Sequence, residues 1–420
     1  MKTFEYGKDD LEIVLRRDSP DYSGLLDYVA GIVKDVRRRG DRALLEYTEK
    51  FDKVKLDSLR VGEEQIQEAY SRVDISVIEA LEHAHSNIES LHTAQYQRVD
   101  SEWSMVVEDG VTAGERMTPV SSVGCYVPGG RAAYPSTLLM TATPAEVVGV
   151  ERVVVASPPP ISDVVLAACK VVGVDEVYMV GGPHGIAALA YGTESVSKVD
   201  KIVGPGNKYV TAAKMLVYGE VDIDMPAGPS EVLIVADDSA DPEFIASDVM
   251  AQAEHDPDAK CVLVTDSKSL VGAVKSLVET QKTSSKRIEI ISKSIDNFSI
   301  IKTKSISDSL RFANDYAAEH VEIIAKSPDD LSKKIVNAGA IFIGPYSPVA
   351  AGDYASGGNH VLPTGGAARF SSQLSVRDYL KSTSVQKITR KGLKSLSKTI
   401  RTLAEEEGLM EHSKSVEKRL

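Results

Sequence analysis

The pattern of apolar and polar residues changes near Pro119. From there, short β-branched runs such as "RVVVAS", "EVYMVGG" and "DKIVGPG" alternate with amphipathic stretches such as "ISDVVLAACKVVGV" and "NKYVTAAKMLVYG". This alternation is typical of βαβ units on a parallel sheet. The same rhythm starts again after Ser230 with "EVLIVADDS" and "KCVLVTDS". The pattern therefore predicts two similar α/β halves.

The segments around these halves have other patterns. The first hundred residues are predicted to be helical, with one helix ending at Gly40, a second in "DRALLEYTEKFD" and a long polar-faced stretch over residues 63–97. Residues 279–307, rich in Ser and Lys, are predicted to be a surface connection with one or two short strands. Residues 339–372 are predicted to be mostly loop, and a long ordered loop is usually functional. Helices are predicted to resume after Val376.

Charge and composition exclude several classes of partner. The 420 residues carry a net charge of −13 without a long run of Lys or Arg, so nucleic acid and anionic membranes are poor partners. The charged N-terminus has no signal-peptide core, and the longest uncharged stretches, residues 177–193 and 335–352, are broken by Gly and Pro. Three scattered cysteines, Cys125, Cys169 and Cys261, indicate buried, reduced thiols in a cytoplasmic protein.

Candidate metal ligands stand out among the histidines. Gln252 and His255 lie three positions apart, at the end of a helix predicted to begin at Asp241 and Pro242, so both could face one object. With Asp and Gln oxygens nearby, four histidines together fit zinc or a similar divalent ion, although a histidine taken singly is more often an ordinary hydrogen-bonded residue than a ligand: His255, His320, His360 and His412. Three others are predicted to lie on a solvated helix face: His83, His85 and His92.

Two further motifs could carry chemistry. Glu319–His320 joins a predicted helix end to a strand start, and is either a cation at a helix C-terminus or an acid–base pair at the carboxyl edge of a sheet. In "KIVGPGNKYVTAAK", Gly204 and Gly206 follow a strand and precede a helix, where backbone amides could bind an anion. Tyr209 stands where the dinucleotide fingerprint has its third glycine, so a tight turn is the alternative.

Longer motifs resemble one family across essentially the whole chain. They are "GCYVPGGRAAYPSTLLMTATPA", "KIVGPGNKYVTAAK", "DMPAGPSEVLIVAD", "AQAEHDPDA", "NDYAAEHVEI" and "AGDYASGGNHVLPT", and together they are similar to histidinol dehydrogenases. The resemblance implies oxidation of L-histidinol to L-histidine through bound histidinal, with two NAD⁺ and one water, as the last step of histidine synthesis. It also implies one Zn²⁺ per subunit, with ligands Gln252, His255, Asp353 and His412.

The resemblance assigns the remaining site residues. His320 matches the base that takes the hydroxyl proton, and Glu319 matches the residue that activates water for the second oxidation. The residues expected to contact substrate are Ser230, Gln252, His255, His320, Asp353, His360, Glu407 and His412. Those expected to contact NAD⁺ are Tyr126, Asn207 and His184, where His184 replaces the glutamine usual in the family and cannot reproduce both groups of an amide.

The resemblance also implies an architecture. It predicts an α/β fold of two incomplete Rossmann-like domains, one inserted in the other, with small terminal segments exchanged in a homodimer whose partner supplies Glu407 and His412. The expected divisions are residues 1–20 and 375–420 for dimerisation, 21–121 with 232–374 for the first domain, and 122–231 for the second.

Three other functions are compatible with parts of the sequence. One is a zinc- and NAD-dependent alcohol dehydrogenase for another primary alcohol, against which Glu407, His412 and His360 argue. The second is a zinc hydrolase with Glu319 as base, which gives no role to "GPGN". The third is a nucleotide-binding protein without catalysis, which gives no role to Glu319 and His320.

Overall fold

The N-terminal part combines an edge strand, helices and a hairpin. The computed structural model describes residues 1–16, 23–129 and 133–420. In chain order the first elements are β1 (Lys2–Glu5), α1 (Glu12–Leu15), α2 (Ser23–Arg39), α3 (Asp41–Asp52), α4 (Glu63–Arg72), α5 (Ile75–Tyr96), β2 (Glu102–Glu108) and β3 (Val111–Pro119). The stretch predicted as one long helix is two, because the side chain of Asp74 accepts the Ser76 N–H and begins a new helix.

Residues 122–223 form a five-stranded parallel sheet with helices between its strands. The elements are β4 (Ser122–Tyr126), α6 (Pro135–Val147), β5 (Arg152–Ser157), α7 (Asp163–Val172), β6 (Glu176–Met179), α8 (Gly182–Tyr191), β7 (Lys201–Val203), α9 (Lys208–Val217) and β8 (Asp222–Ile223). The strands lie in the order β6-β5-β4-β7-β8, and each neighbouring pair is parallel. Counted from β4, this is the 3-2-1-4-5 order of a Rossmann fold.

A second parallel sheet follows. Its elements are β9 (Glu231–Ala236), α10 (Pro242–Ala253), β10 (Lys260–Thr265), α11 (Lys268–Lys282), α12 (Ile288–Ile295), β11 (Ser299–Lys302), α13 (Ile306–Tyr316), β12 (His320–Ile324), α14 (Pro328–Ser332), β13 (Ala340–Ile343) and α15 (Val349–Tyr354). The six strands lie in the order β1-β11-β10-β9-β12-β13. Counted from β9, five of them repeat the 3-2-1-4-5 order, in agreement with the repeated sequence pattern.

Two elements in or beside this sheet, one strand and one helix, differ from the sequence prediction. β1 pairs in parallel with β11, so the first hundred residues are not all helical. A local pattern could not reveal this strand, because its pairing partner begins only at Ser299. α12 lies in the region predicted as surface connection with short strands. Its Ile291 and Ile295 are buried, and these apolar positions at helical spacing were hidden by the many Ser and Lys residues around them.

The N-terminal helices pack on the five-stranded sheet. α2 packs against α8 and α9, α4 against α7, and α5 against α6. The prediction groups residues 21–121 with 232–374, whereas this packing associates residues 23–96 with the sheet of residues 122–223. Chain order does not decide which sheet an amphipathic helix covers, since any open apolar face can accept it. The domain boundaries themselves stay a prediction, and residues 17–22 lie outside the described residues.

The C-terminal part projects from a small antiparallel sheet. Two 3₁₀ turns (Ala367–Arg369 and Val376–Tyr379) precede β14 (Leu380–Ile388), α16 (Arg390–Glu406) and α17 (Met410–Glu417). β14 pairs with β3, which also pairs with β2. The predicted tail helices are therefore present, but a strand comes first. Across the three described ranges, the helices are too short or too polar to cross a membrane.

Candidate active site

The site is centred on the amino ends of two neighbouring strands. Glu319 and His320 stand at the start of β12, beside Ser230 and Glu231 at the start of β9. The sequence-based interpretation of Glu319 and His320 as an acid–base pair predicts that they lie at the carboxyl edge of a sheet. That predicted position is wrong. The pair precedes its strand, and all strands of a parallel sheet start at the same edge. The helix-terminus interpretation also does not apply, because α13 ends at Tyr316.

His320 has one ring nitrogen bound and one free. Its Nδ1 lies 3.0 Å from the carbonyl oxygen of Glu231, which can only accept, so Nδ1 carries the proton. Nε2 is buried without a hydrogen-bond partner and lies 3.9 Å from Oδ1 of Asp353. Burial lowers the pKa of His320, although the nearby Asp353 carboxylate opposes this shift. The ring is therefore neutral at physiological pH, and Nε2 can accept a proton.

Glu319 is held in one orientation by the residues that begin β9. Its Oε2 accepts hydrogen bonds from the Ser230 hydroxyl at 2.7 Å and from the Glu231 amide at 2.8 Å. The same oxygen lies 3.5 Å from Nδ1 of His320, and both side chains are buried. A carboxylate and an imidazole base are thus fixed side by side.

Two of the four predicted metal ligands, His255 and Asp353, approach each other, and Asp353 also approaches His320. Asp353 is on α15, and its Oδ2 lies 4.0 Å from Nε2 of His255. His255 is not on the helical face of Gln252 as predicted, because α10 ends at Ala253 and His255 lies in the following turn. Gln252 is buried in the last turn of α10, and its Nε2 has no hydrogen-bond partner.

His360 connects this region to the other sheet. Its Nδ1 lies 3.0 Å from the backbone carbonyl of Asp353, and its Nε2 lies 3.4 Å from the hydroxyl of Thr137. Thr137 is in the first turn of α6, directly after the carboxyl end of β4. The site therefore lies between the amino edge of the six-stranded sheet and the carboxyl edge of the five-stranded sheet.

Glu407 and His412 are not brought to the cluster within the chain. Both side chains are exposed, on or beside the α16–α17 pair. Over residues 1–16, 23–129 and 133–420, no group of three or more His, Cys, Asp or Glu side chains is arranged to hold a metal ion.

The candidate ligands His255 and Asp353 suit a zinc ion chemically. Imidazole nitrogen and carboxylate oxygen are zinc ligand types, and two ligand atoms on one tetrahedral zinc ion stand roughly 3.4 Å apart. The 4.0 Å between Nε2 of His255 and Oδ2 of Asp353 is close to that spacing. Gln252 could add a ligand only through its amide oxygen, because the amide nitrogen is a hydrogen-bond donor.

The predicted cofactor contacts lie at the carboxyl edge of the five-stranded sheet. Tyr126 ends β4, and its hydroxyl accepts the Gly182 N–H at 3.1 Å. Asn207 is exposed, follows β7 and caps α9, accepting the Tyr209 and Val210 N–H groups. In the Rossmann order this edge is where dinucleotides bind.

His184 is the exception among these residues. It is on α8, only 1 % exposed, and its ring packs against the stacked rings of Tyr47 and Phe51 of α3, with a centroid distance of 5.9 Å to each. Its Nε2 lies 3.4 Å from the Thr48 hydroxyl, and its Nδ1 is buried without a partner. Burial lowers the pKa of His184 to about 3, so the ring is neutral.

The structure also tests the predicted solvent exposure of three histidines on α5 and the predicted burial of the three cysteines. Among His83, His85 and His92, predicted to face solvent, His92 is instead fully buried, with Nδ1 2.7 Å from the carbonyl of Ile88. The prediction for the cysteines is confirmed, since Cys125, Cys169 and Cys261 are free and buried.

Sequence reasoning missed two carboxylates that organise the site. Oε1 of Glu231 accepts the Glu319 N–H at 3.3 Å and the Gly365 N–H at 3.1 Å. Glu322 accepts the N–H of Val349, the first residue of the helix that carries Asp353, at 2.9 Å. Burial raises the pKa of Glu322 well above its ordinary value. The available signal was a charged residue in each of two otherwise apolar strands, "EVLIVA" and "HVEIIA".

The fold and the site together define an α/β enzyme with a buried glutamate–histidine pair between two Rossmann-ordered sheets. Residues 15–420 match the family described as Histidinol dehydrogenase. The chain belongs to the histidinol dehydrogenase family, whose members are oxidoreductases.

Named relatives agree with this membership. The chain is 48% identical to "Histidinol dehydrogenase" of Methanococcus maripaludis over all of this chain and 99% of that protein. It is 49% identical to the protein of the same name from Methanothermobacter thermautotrophicus, over 100% of this chain and 99% of the relative. The crystal structure of histidinol dehydrogenase from Elizabethkingia anophelis superposes with a TM-score of 0.94 at 36% identity, covering 100% of this chain and 98% of that one.

Proposed function

We propose that the chain oxidises L-histidinol to L-histidine through bound histidinal, with NAD⁺ as the electron acceptor. Family membership supports the reaction class. The observation that carries the proposal is His320, whose Nδ1 is fixed by a carbonyl and whose buried Nε2 is free and beside Asp353. A neutral imidazole with one free nitrogen can take the proton of an alcohol as hydride leaves the adjacent carbon.

Glu319 and His320 have separate tasks in this proposal. His320 accepts the hydroxyl proton in the first oxidation, and its lowered pKa keeps it neutral and ready to do so. Glu319 takes a proton from water, which adds to the aldehyde and gives a hydrate that can lose the second hydride. The hydrogen bonds from Ser230 and Glu231 keep the Glu319 carboxylate beside His320 during both steps.

We further propose one Zn²⁺ per active site, held by Gln252, His255, Asp353 and His412. Bound there, zinc would act as a Lewis acid that orients the substrate and lowers the pKa of a ligated group. The His255–Asp353 spacing supports the site. Substrate contacts are proposed for Ser230, Gln252, His255, His320, Asp353, His360, Glu407 and His412.

NAD⁺ is proposed to lie along the carboxyl edge of the five-stranded sheet, where its nicotinamide accepts the hydride. Tyr126 and Asn207, at the ends of β4 and β7, are the proposed contacts. His184 is retained as a third candidate, but its burial behind α3 means that it can reach the dinucleotide only if α3 or α8 moves.

A homodimer with shared active sites would complete the centre. Glu407 and His412 lie on an exposed pair of helices, and β2 exposes Trp103, Met105 and Val106 to solvent. Exposed apolar residues on a projecting element are typical of a surface that another chain covers. We propose that the C-terminal segment of each chain supplies Glu407 and His412 to its partner. A cytoplasmic location is proposed from the three free thiols.

The proposal is tested with purified protein, L-histidinol and NAD⁺. NADH should form, and amino-acid analysis should find one histidine for every two NADH. A second primary alcohol, tested in parallel, separates this reaction from a general alcohol dehydrogenase. Turnover of histidinol without NADH formation, or NADH formation without histidine, would contradict the proposal.

A further inference from the structure

A buried ion pair forms hydrogen bonds with the backbone of the turn that follows β7. Lys214 on α9 and Asp224 after β8 form a salt bridge, and their side chains are 3% and 1% exposed. Nζ of Lys214 also donates to the carbonyl of Gly204 at 2.9 Å, and Oδ2 of Asp224 accepts the Gly204 N–H at 2.7 Å. Both polar atoms of the Gly204 backbone are thus bound by one ion pair. Lys214 contributes from α9, and Asp224 contributes from the residue that follows β8.

The turn itself cannot easily adopt another position. Gly204 has φ +114°, and a Cβ at this residue would lie 2.2 Å from the carbonyl oxygen of Tyr126. The first residues of the turn are therefore in close contact with the end of β4. Asn207, which ends the turn, caps α9. The position of Asn207 relative to Tyr126 consequently depends on how Gly204 is held.

Burying an ion pair beside a turn has a desolvation cost in free energy. Removing two charges from water costs more than their attraction returns, unless further hydrogen bonds satisfy them. Here those further bonds go to Gly204, while Oδ1 of Asp224 additionally accepts the Met225 N–H at 2.6 Å. The pair binds both polar atoms of the Gly204 backbone at the predicted cofactor edge, which apolar side chains could not do because they make no hydrogen bonds.

We propose that Lys214 and Asp224 are positioning residues for NAD⁺ binding, acting through the Gly204–Asn207 turn. This inference rests on the proposed function, because it takes Tyr126 and Asn207 as cofactor contacts. Neither member of the pair needs to touch the dinucleotide. The pair sets the geometry of the turn, so its loss should weaken NAD⁺ binding and leave the histidinol side of the site intact.

The chain offers a control pair in the same sheet. Lys201 and Asp222, the first residues of β7 and β8, form a 2.8 Å ion pair at the opposite edge of the sheet, where the side chain of Lys201 is buried and that of Asp222 is 52% exposed. Lys201→Met with Asp222→Asn removes one charge of each sign without touching the turn. A change in NAD⁺ binding that both double variants share would come from the general loss of an ion pair in this sheet and not from the turn.

The experiment compares Lys214→Met/Asp224→Asn with this control in the full-length protein. The KM for NAD⁺, and the Kd for NAD⁺ from calorimetry, should rise about tenfold or more in the Lys214/Asp224 variant, while the KM for histidinol changes by less than about twofold. The control should leave the NAD⁺ values within about twofold of the unmodified protein. An equal rise in both pairs, or in both substrates' KM values, would overturn the proposal.

A milder variant covers the case in which the double variant does not fold. Asp224→Asn preserves the shape of the side chain and keeps the Lys214 bond to Gly204. The KM for NAD⁺ should still rise about threefold, and an unchanged value would refute the role of the pair. Failure of the proposed function looks different, since the unmodified protein would then form no NADH from histidinol.

Discussion

Replacing His184 with glutamine should change how stability depends on pH. The imidazole is 1 % exposed, and its pKa is lowered from 6.5 to about 3 because burial disfavours the charged ring. Between these two values the unfolded chain binds a proton that the folded chain does not. Stability therefore falls as the pH falls from 6.5 towards 3. At pH 5 the loss from this one group is about 2 kcal/mol relative to pH 8, from the linkage relation at these pKa values.

The nearby carboxylate of Asp52 acts in the opposite direction. Burial raises its pKa from 3.8 to about 6, so the folded chain holds this proton more tightly. Its contribution is fully present below pH 3.8 and is lost as the pH rises through 6. Oδ2 of Asp52 lies 4.0 Å from Nε2 of His184, but burial is what raises the pKa of Asp52. Most of its contribution therefore cancels when the unmodified protein is compared with His184→Gln. The difference between the two unfolding free energies should shift by about 2 kcal/mol between pH 8 and pH 5.

The assay is urea unfolding at pH 8, 7, 6 and 5, at one fixed protein concentration because a homodimer would make stability depend on it. His83→Gln makes the same substitution at an exposed position of α5 and controls for the change of side chain. If His184→Gln and the unmodified protein keep the same stability difference across this range, the burial of a neutral imidazole between α3 and α8 is refuted.

Four further outcomes are expected. If position 184 also contacts the cofactor, His184→Gln should change the KM for NAD⁺ more than the KM for histidinol, and an unchanged NAD⁺ dependence would leave only the packing role. Chelation should abolish turnover and zinc should restore it, whereas full activity of metal-free protein would exclude the metal. Glu319→Gln should slow oxidation of supplied histidinal more than oxidation of histidinol, and His320→Asn should slow both; equal losses for Glu319→Gln would remove its role in water activation. Inactive Asp353→Ala and His412→Ala chains, refolded together, should recover about a quarter of the active sites if ligands are shared between chains, and no recovery in verified mixed dimers would rule sharing out.

Local signals in the sequence determined most of the secondary structure of the two sheets. β-branched runs gave the strands, and their alternation with helices gave the parallel order, because a parallel connection needs a crossover. Asp241 and Pro242 marked the start of α10, where the Asp241 side chain accepts the Glu243 N–H at 2.9 Å. These features depend on neighbours within a few residues, so they can be read without the fold. The long family motifs likewise gave the reaction class, since the family match over residues 15–420 confirms them.

Only the tertiary structure decided where those residues lie relative to each other. Chain order places Glu319 and His320 at the amino end of β12, but only the pairing of β12 with β9 brings them beside Ser230 and Glu231. Nothing local marks His184 or His92 as buried, since burial comes from α3 in one case and from packing around α5 in the other. The role of Glu231 is also invisible locally, because its partners Glu319 and Gly365 approach only when distant strands and loops meet. Long-range packing, which no short window of sequence contains, sets the geometry and protonation of this site.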